Sequence, residues 1–275
     1  MMRNLSAIGR IFYGTAIAEI GLQAIYDRDF PYMLMPPNHS AIPGFVVIVA
    51  ISGVLLMLAG LCIIFGKKTR QAALLLGLVL LMIFCFYYIP YQLFVSPNNK
   101  HFGDWENSAK ELALAGGAFV IAACYTGKNE SSFDRFVEKL IPFGAVLFPI
   151  TIISFGVDHF LYAKEAAGYV PSWAPYHVFW MYFCGAALLG SGIAIILKIR
   201  VQLIAILLGA MILIWFVSLH IPKVVVSSAA DLPGEISSAI LALAYSGTAF
   251  VIAGCTKKVT KREIFATDQK DVEHI

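Results

Sequence analysis

F-V-I-A-G-C, Phe250 to Cys255, restates F-V-I-A-A-C, Phe119 to Cys124, and both strings close long apolar runs. Working outward, further pairs keep nearly the same spacing: Gly53 with Gly185, Gly60 with Gly192, Gly77 with Gly209, Pro90 with Pro222 and Gly103 with Gly234. Gly21 pairs with Gly156 after a short slip. Self-similarity at one long period marks a duplicated unit. The chain therefore reads as two four-span units in tandem, 1–126 and 141–256, with a linker at 127–140 and a tail at 257–275.

The composition says what kind of unit this is. Of the 275 residues 59% are hydrophobic and 13% charged, with a mean hydropathy of +0.78. Soluble domains hold about 45–50% apolar and about 25% charged residues, so this is the composition of an integral membrane protein. The net charge of +3 is not a sign of nucleic-acid binding, since no basic patch is interleaved with aromatics. Five cysteines (Cys62, Cys85, Cys124, Cys184, Cys255) lie in apolar runs without a C-x-x-C pair or metal spacing, and they read as small buried hydrophobes.

Eight apolar runs are long enough to cross a hydrocarbon core of about 30 Å as helices. They lie near Ser6–Tyr26, Pro43–Phe65, Ala72–Phe94, Ala109–Tyr125, Ile141–Tyr162, Tyr176–Leu197, Val201–Pro222 and Ile236–Cys255. Lipid offers the backbone no hydrogen-bond partner and no strand alternation is visible, so the fold class is all-α and polytopic. The first run contains Glu19 and no small-residue cleavage site, so it is kept as a span rather than a signal peptide. With the N-terminus inside, fifteen basic residues fall in cytoplasmic segments and only Arg28, Lys100, Lys110, Lys164 and Lys223 fall outside. That bias predicts an N-in, C-in protein of the cytoplasmic membrane with two parallel repeats. In the linker, Phe133, Phe136, Val137 and Leu140 recur at helical spacing among charges and predict a short amphipathic helix on the inner surface. The tail is charged and reads as frayed, with no site at His274.

The densest polar chemistry lies in Ile153–Pro175, at the outer end of span five. Asp158, His159 and Tyr162 stand there, span seven brings His220 and Lys223 to the same depth, and span six starts beside His177. An intramembrane carboxylate is costly and seeks a partner or a water-filled cavity; His220, His177 or Lys223 could supply one to Asp158. Each of these residues could equally fix helix packing. The first unit has Gln23 and Tyr88 at the places of Asp158 and His220, and Glu19 is its intramembrane acid. Trp173, Trp180, Tyr169 and Tyr176 form an aromatic belt or the wall of a site, together with Phe155, Phe160 and Phe216.

The sequence resembles the DoxX family of bacterial membrane proteins over both units. The likeness is carried by G-V-D-H-F at Gly156–Phe160, V-P-S-W-A-P at Val170–Pro175, S-L-H-I-P at Ser218–Pro222 and K-E-L-A-L-A-G-G-A at Lys110–Ala118. Basic residues follow the second span of each unit, at Lys67, Lys68 and Arg70 and at Lys198 and Arg200. The resemblance implies a four-helix unit, here doubled, and a link to redox physiology through the related DoxD subunit of thiosulfate:quinone oxidoreductase. The chain departs from the family in missing a cysteine pair, so nothing in it is expected to run dithiol exchange by itself, and no dihaem or metal motif stands out.

These features predict a membrane subunit that binds a quinone or similar lipophilic molecule near Asp158 and His220, with electrons coming from a redox partner protein. A small-molecule transporter or carrier, and an assembly partner without chemistry, are the alternatives.

Overall fold

The computed structural model describes residues 2–36, 42–125 and 132–272. Every regular element among them is helical: α1 (Met2–Asp27), α2 (Phe45–Phe65), α3 (Thr69–Phe94), α4 (Phe102–Cys124), α5 (Ser132–Glu138), α6 (Ile141–Leu161), α7 (His177–Ile196), α8 (Val201–Val226) and α9 (Leu232–Val272). Among the described residues, seven of these helices are long and apolar enough to cross a membrane; α4 and α5 are the two that are not. Helix α4 carries Asp104, Glu106, Lys110 and Glu111 in its first half, ahead of an apolar run that ends at Cys124.

The packing is that of a membrane bundle. Large apolar side chains point outward, including Val47, Leu55, Phe86, Phe183 and Ile214. The interior is filled largely by small residues, with polar ones such as Glu111, Gln92, Thr151 and Ser246 among them. Lipid is as apolar as leucine, so burying leucine gains little and close backbone contact gains more. Helices α4 and α9 form the centre: α4 is buried continuously from Ala113 to Ala122, and α9 packs against α1, α8 and α4. Helix α1 lies on α2 and α9, while α6 lies on α7 and α4.

Two crossings set this arrangement. A Cβ on Gly9 of α1 would collide with the Gly247 carbonyl of α9, and a Cβ on Gly144 of α6 would stand 2.9 Å from the Gly116 carbonyl of α4. Only glycine lets the backbones come so near. The rings of Phe119 and Phe250 fill the hollows left at Gly77 of α3 and Gly209 of α8.

Helices α3 and α8 are each interrupted by one π turn, at Phe84–Tyr88 and at Phe216–His220, just before Pro90 and Pro222. A proline has no N–H and its ring presses on the preceding turn. One wider turn absorbs that without ending the helix. The short turns after α2 and α7 also correspond: Gly66 and Lys68 have φ of 76° and 52°, and Lys198 and Arg200 have φ of 57° and 41°.

At the end where α4 finishes, Arg70 holds the chain together. Its guanidinium donates to the carbonyls of Ala122 (2.8 Å) and Tyr125 (2.7 Å) and pairs with Glu138 of α5. Val137 is buried and Phe136 exposed, so α5 is amphipathic as its spacing predicts. Residues 126–131, the start of the expected linker, lie outside the described residues.

Three expectations change. The helix that holds the fourth apolar run begins at Phe102 rather than near Ala109, with Asp104 and Glu106 taken into it rather than left in a loop, and it is not among the helices apolar enough to count as spans. The segment after Cys255, read as frayed, continues as helix to Val272, and His274 lies outside the described residues. Cys124 and Cys255 are not two inert hydrophobes but a disulfide, with Cα atoms 5.7 Å apart. The last turn of α4 lies beside the turn of α9 that carries Cys255, which brings together cysteines far apart in the chain.

Candidate functional site

At the opposite end, where α1 and α6 finish and α4 and α9 begin, the polar residues fall into two groups. The first is built on the seam between α4 and α6. Asp158, near the end of α6, is turned toward α4, where its side chain hydrogen-bonds Glu106 and lies in the field of Lys110. Lys110 Nζ donates to Asn107 Oδ1 at 2.8 Å, and the Tyr245 hydroxyl of α9 donates to the Lys110 carbonyl at 3.1 Å. One oxygen of Asp158, Oδ1, is buried with no hydrogen-bond partner. His101 stacks on Tyr162 above it, with ring centroids 4.9 Å apart.

Glu106 sits in the first turns of α4, before the apolar run. Burial raises its carboxyl above the ordinary carboxylate range; the Lys110 ammonium draws it back down, and the Asp158 carboxylate pushes it up again. A hydrogen bond between two carboxyl groups needs a proton on one of them. The pair can therefore give or accept a proton without a change of scaffold.

Lys110 also faces a cavity of about 630 Å³ between α1, α4, α9 and the segment 29–33. Gln23, Asn107 and Ser237 give it polar walls, and Phe30, Met33 and Leu241 apolar ones. Gln23 donates to the Pro233 carbonyl at 2.9 Å and accepts from the Ser237 hydroxyl at 3.1 Å. Gln23 on α1 thus meets α9 as Asp158 on α6 meets α4. The cavity lies within the roughly 300–1,000 Å³ of small-molecule sites.

The second group lies between α3 and α4. The Tyr88 hydroxyl, in the π turn, hydrogen-bonds the Tyr32 carbonyl, and Gln92 Nε2 donates to the Asp104 carbonyl at 2.7 Å. Both oxygens of Glu111 and Oε1 of Gln92 are buried without a hydrogen-bond partner, and Glu111 acts electrostatically on Tyr88 and Cys85. Tyr32, in the segment between α1 and α2, has its hydroxyl shifted upward by burial, then by Tyr91 and Asp104.

The remaining expected residues disperse. His159 points away from Asp158, as neighbours on a helix must: its Nδ1 lies 2.7 Å from the Phe155 carbonyl and its ring stacks on Trp215 of α8. Lys223 is engaged by Glu235 (3.7 Å) and lies 3.7 Å from the centroid of the Tyr169 ring. His220 Nδ1 is buried without a hydrogen-bond partner, with Lys223 as its charged neighbour. No hydrogen bond or ion pair joins Asp158 to His220, His177 or Lys223 among the described residues; its partners come from the first half of the chain. His177 opens α7. Trp173 and Tyr176 are exposed, and Trp180 donates to the Pro175 carbonyl at 2.9 Å, as belt residues do. Glu19 is exposed on the outer face of α1.

Glu106 escaped the sequence reading; Lys110 entered it as an outer-side charge and, with Glu111, in the string that carries the resemblance, neither of them as a site residue. The run E-N-S-A-K-E at Glu106–Glu111 held the signal: two acids five residues apart with a lysine beside the second, leading directly into an apolar helix. No match to this chain is found among protein-family models, curated proteins or solved structures.

Proposed function

We propose that the chain is a DoxX-like protein of the cytoplasmic membrane that binds a small lipophilic molecule with a polar head, of the quinone class, beside Glu106, Lys110 and Asp158. The carrying observation is the acidic pair: Glu106 and Asp158 are hydrogen-bonded beside Lys110, and Asp158 Oδ1 is buried without a partner. Such a group is poised to meet a ligand oxygen and to exchange a proton with it. A quinone, when bound, supplies two-electron, two-proton chemistry. The chain's own residues hold the head and handle protons, and the electrons come from a partner protein.

The architecture behind this reading is two parallel four-helix units, α1–α4 and α6–α9, with α4 as the eighth span. Its support is the correspondence of detail: Gly9 against Gly247 and Gly144 against Gly116, the two π turns, the two left-handed turns, and Gln23–Ser237 beside Asp158–Glu106. The excess of basic residues beside the inner ends supports cytoplasmic termini.

Purification in mild detergent followed by lipid extraction tests the binding reading. The expected result is co-purifying quinone and a thermal shift on adding a short-chain quinone, both lost in Asp158→Asn with the fold intact. No bound quinone and no ligand-induced shift would sink it. A carrier is the second reading, favoured by the π turns that interrupt α3 and α8 at matching places in both halves. It expects solute flux into liposomes that Asp158→Asn abolishes.

A further inference from the structure

We propose that Cys124 and Cys255 are a reversible dithiol/disulfide couple at the inner face, exchanging with thiols and fastening or freeing the inner ends of α4 and α9. The inference takes its sidedness from the orientation proposed above; the couple itself rests on separate observations.

The first is position. The disulfide joins the last turn of α4 to the corresponding point of α9, the two helices at the centre of the bundle. In the proposed orientation it lies at the end that carries most of the basic residues. The cytoplasm keeps thiols reduced, and disulfides that form there are mostly transient, catalytic or redox-sensing. A purely structural disulfide does not belong at this end.

The second is access with asymmetry. Cys255 is buried at 5% exposure, whereas Cys124 is half-buried. An incoming thiolate reaches the sulfur of Cys124 first, and Cys255 is the leaving group, held close enough to re-form the bond.

The third is charge. Arg70 binds the carbonyls of Ala122 and Tyr125, on either side of Cys124, and the Arg10 guanidinium lies 5.6 Å from the centroid of the Tyr125 ring. Arg10 Nε is buried without a hydrogen-bond partner, while Glu138 offsets Arg70. Guanidinium groups near a cysteine favour thiolate, the form that leaves and attacks in exchange.

With glutathione as the reductant the step balances. One glutathione thiolate attacks Cys124 Sγ, the S–S bond breaks, and Cys255 departs as thiolate. A second glutathione thiolate attacks the glutathione sulfur of the mixed disulfide, releasing Cys124 thiolate and glutathione disulfide. Two glutathiones lose two electrons, the pair gains them, and the two thiol protons pass to the cysteines.

Glutathione does not cross bilayers, which gives the test its sidedness. The full-length protein, with Cys62, Cys85 and Cys184 changed to serine, is placed in right-side-out spheroplasts and in inside-out vesicles. Each is incubated with a series of reduced-to-oxidised glutathione ratios, quenched in acid and labelled with a maleimide that adds mass per free thiol. The expected result is a two-thiol transition in inside-out vesicles, absent from spheroplasts, and a lower melting temperature for the reduced protein. A transition in spheroplasts alone would overturn the inner-face assignment and the orientation with it. A pair that stays alkylatable or stays protected across the whole series, in both preparations, would overturn the couple while leaving the orientation untouched. Quinone binding by the same variant, measured in parallel, separates a failure here from a failure of the ligand site.

Discussion

Arg70 closes the C-terminal end of α4. The last carbonyls of a helix have no partner of their own, and in a bundle end this well packed, side chains must supply the donors. Arg70 reaches two such carbonyls and still pairs with Glu138. Arg70→Met is expected to cost about 1.5–3 kcal/mol in reversible unfolding in mixed micelles, the range for hydrogen bonds involving a charged group. Arg70→Lys should recover only part of this, since an ammonium lacks the planar fork that spans two acceptors. At the other end of α4 Glu106 makes the opposite contribution. Its carboxyl is raised in the folded protein, so on raising pH the unfolded chain releases that proton first. Folded stability then declines from about pH 5 to about pH 8 as the deficit accumulates. Glu106→Gln should flatten that part of the melting-temperature profile; an unchanged slope would remove Glu106 as its cause.

At the scale of elements, the turns and crossings are where single substitutions have a clear sign. Lys198 takes a left-handed conformation, φ 57°, at the place where the first half has Gly66. A side chain there is strained by about 1–2 kcal/mol, and glycine gives part of that back as unfolded-state entropy. Lys198→Gly is therefore expected to stabilise by about 0.5–1 kcal/mol. Gly9→Ala and Gly144→Ala should each destabilise by about 1–3 kcal/mol through overpacking against a neighbouring backbone. Gly190→Ala in α7, where an added Cβ meets nothing within 4 Å, should be neutral or mildly stabilising. Chemical denaturation of the three side by side would check this ordering. The helices themselves were legible because hydrophobic length and the lack of backbone partners in lipid leave one solution. The start of α4 was not, since Asp104 and Glu106 read as loop residues until α6 and its Asp158 are placed beside them. The π turns were hidden for a similar reason: proline marks the strain, but only the surrounding helices decide that the chain absorbs it and continues.

For the molecule as a whole, what each helix faces was harder to read than the helices themselves. The similar strings Phe119–Cys124 and Phe250–Cys255 lie on α4 and α9, the two central helices. Asp158 stood out as an intramembrane acid, yet its partner could not be found by depth alone. Depth along a helix follows from residue count, whereas facing depends on which helices are neighbours. Asp158 meets Glu106 of the other half because α6 packs on α4. The cysteine pair was missed in the same way, its members being 131 residues apart. If each half is a unit whose first helix completes the other, co-expressed fragments 1–126 and 132–275 should assemble and co-purify, and either fragment alone should be degraded. Stable accumulation of the first fragment alone would count against this interdependence.

The placing of α1 against α9 also has a consequence in time. Of the described helices α1 comes first in the chain, and one of its two principal neighbours, α9, comes after all the others. Until α9 has left the ribosome, α1 waits in the bilayer with the Gly9 face uncovered, and whatever shields that face in the meantime must leave before α9 can dock. The docking of α1 is thus timed by the release of α9.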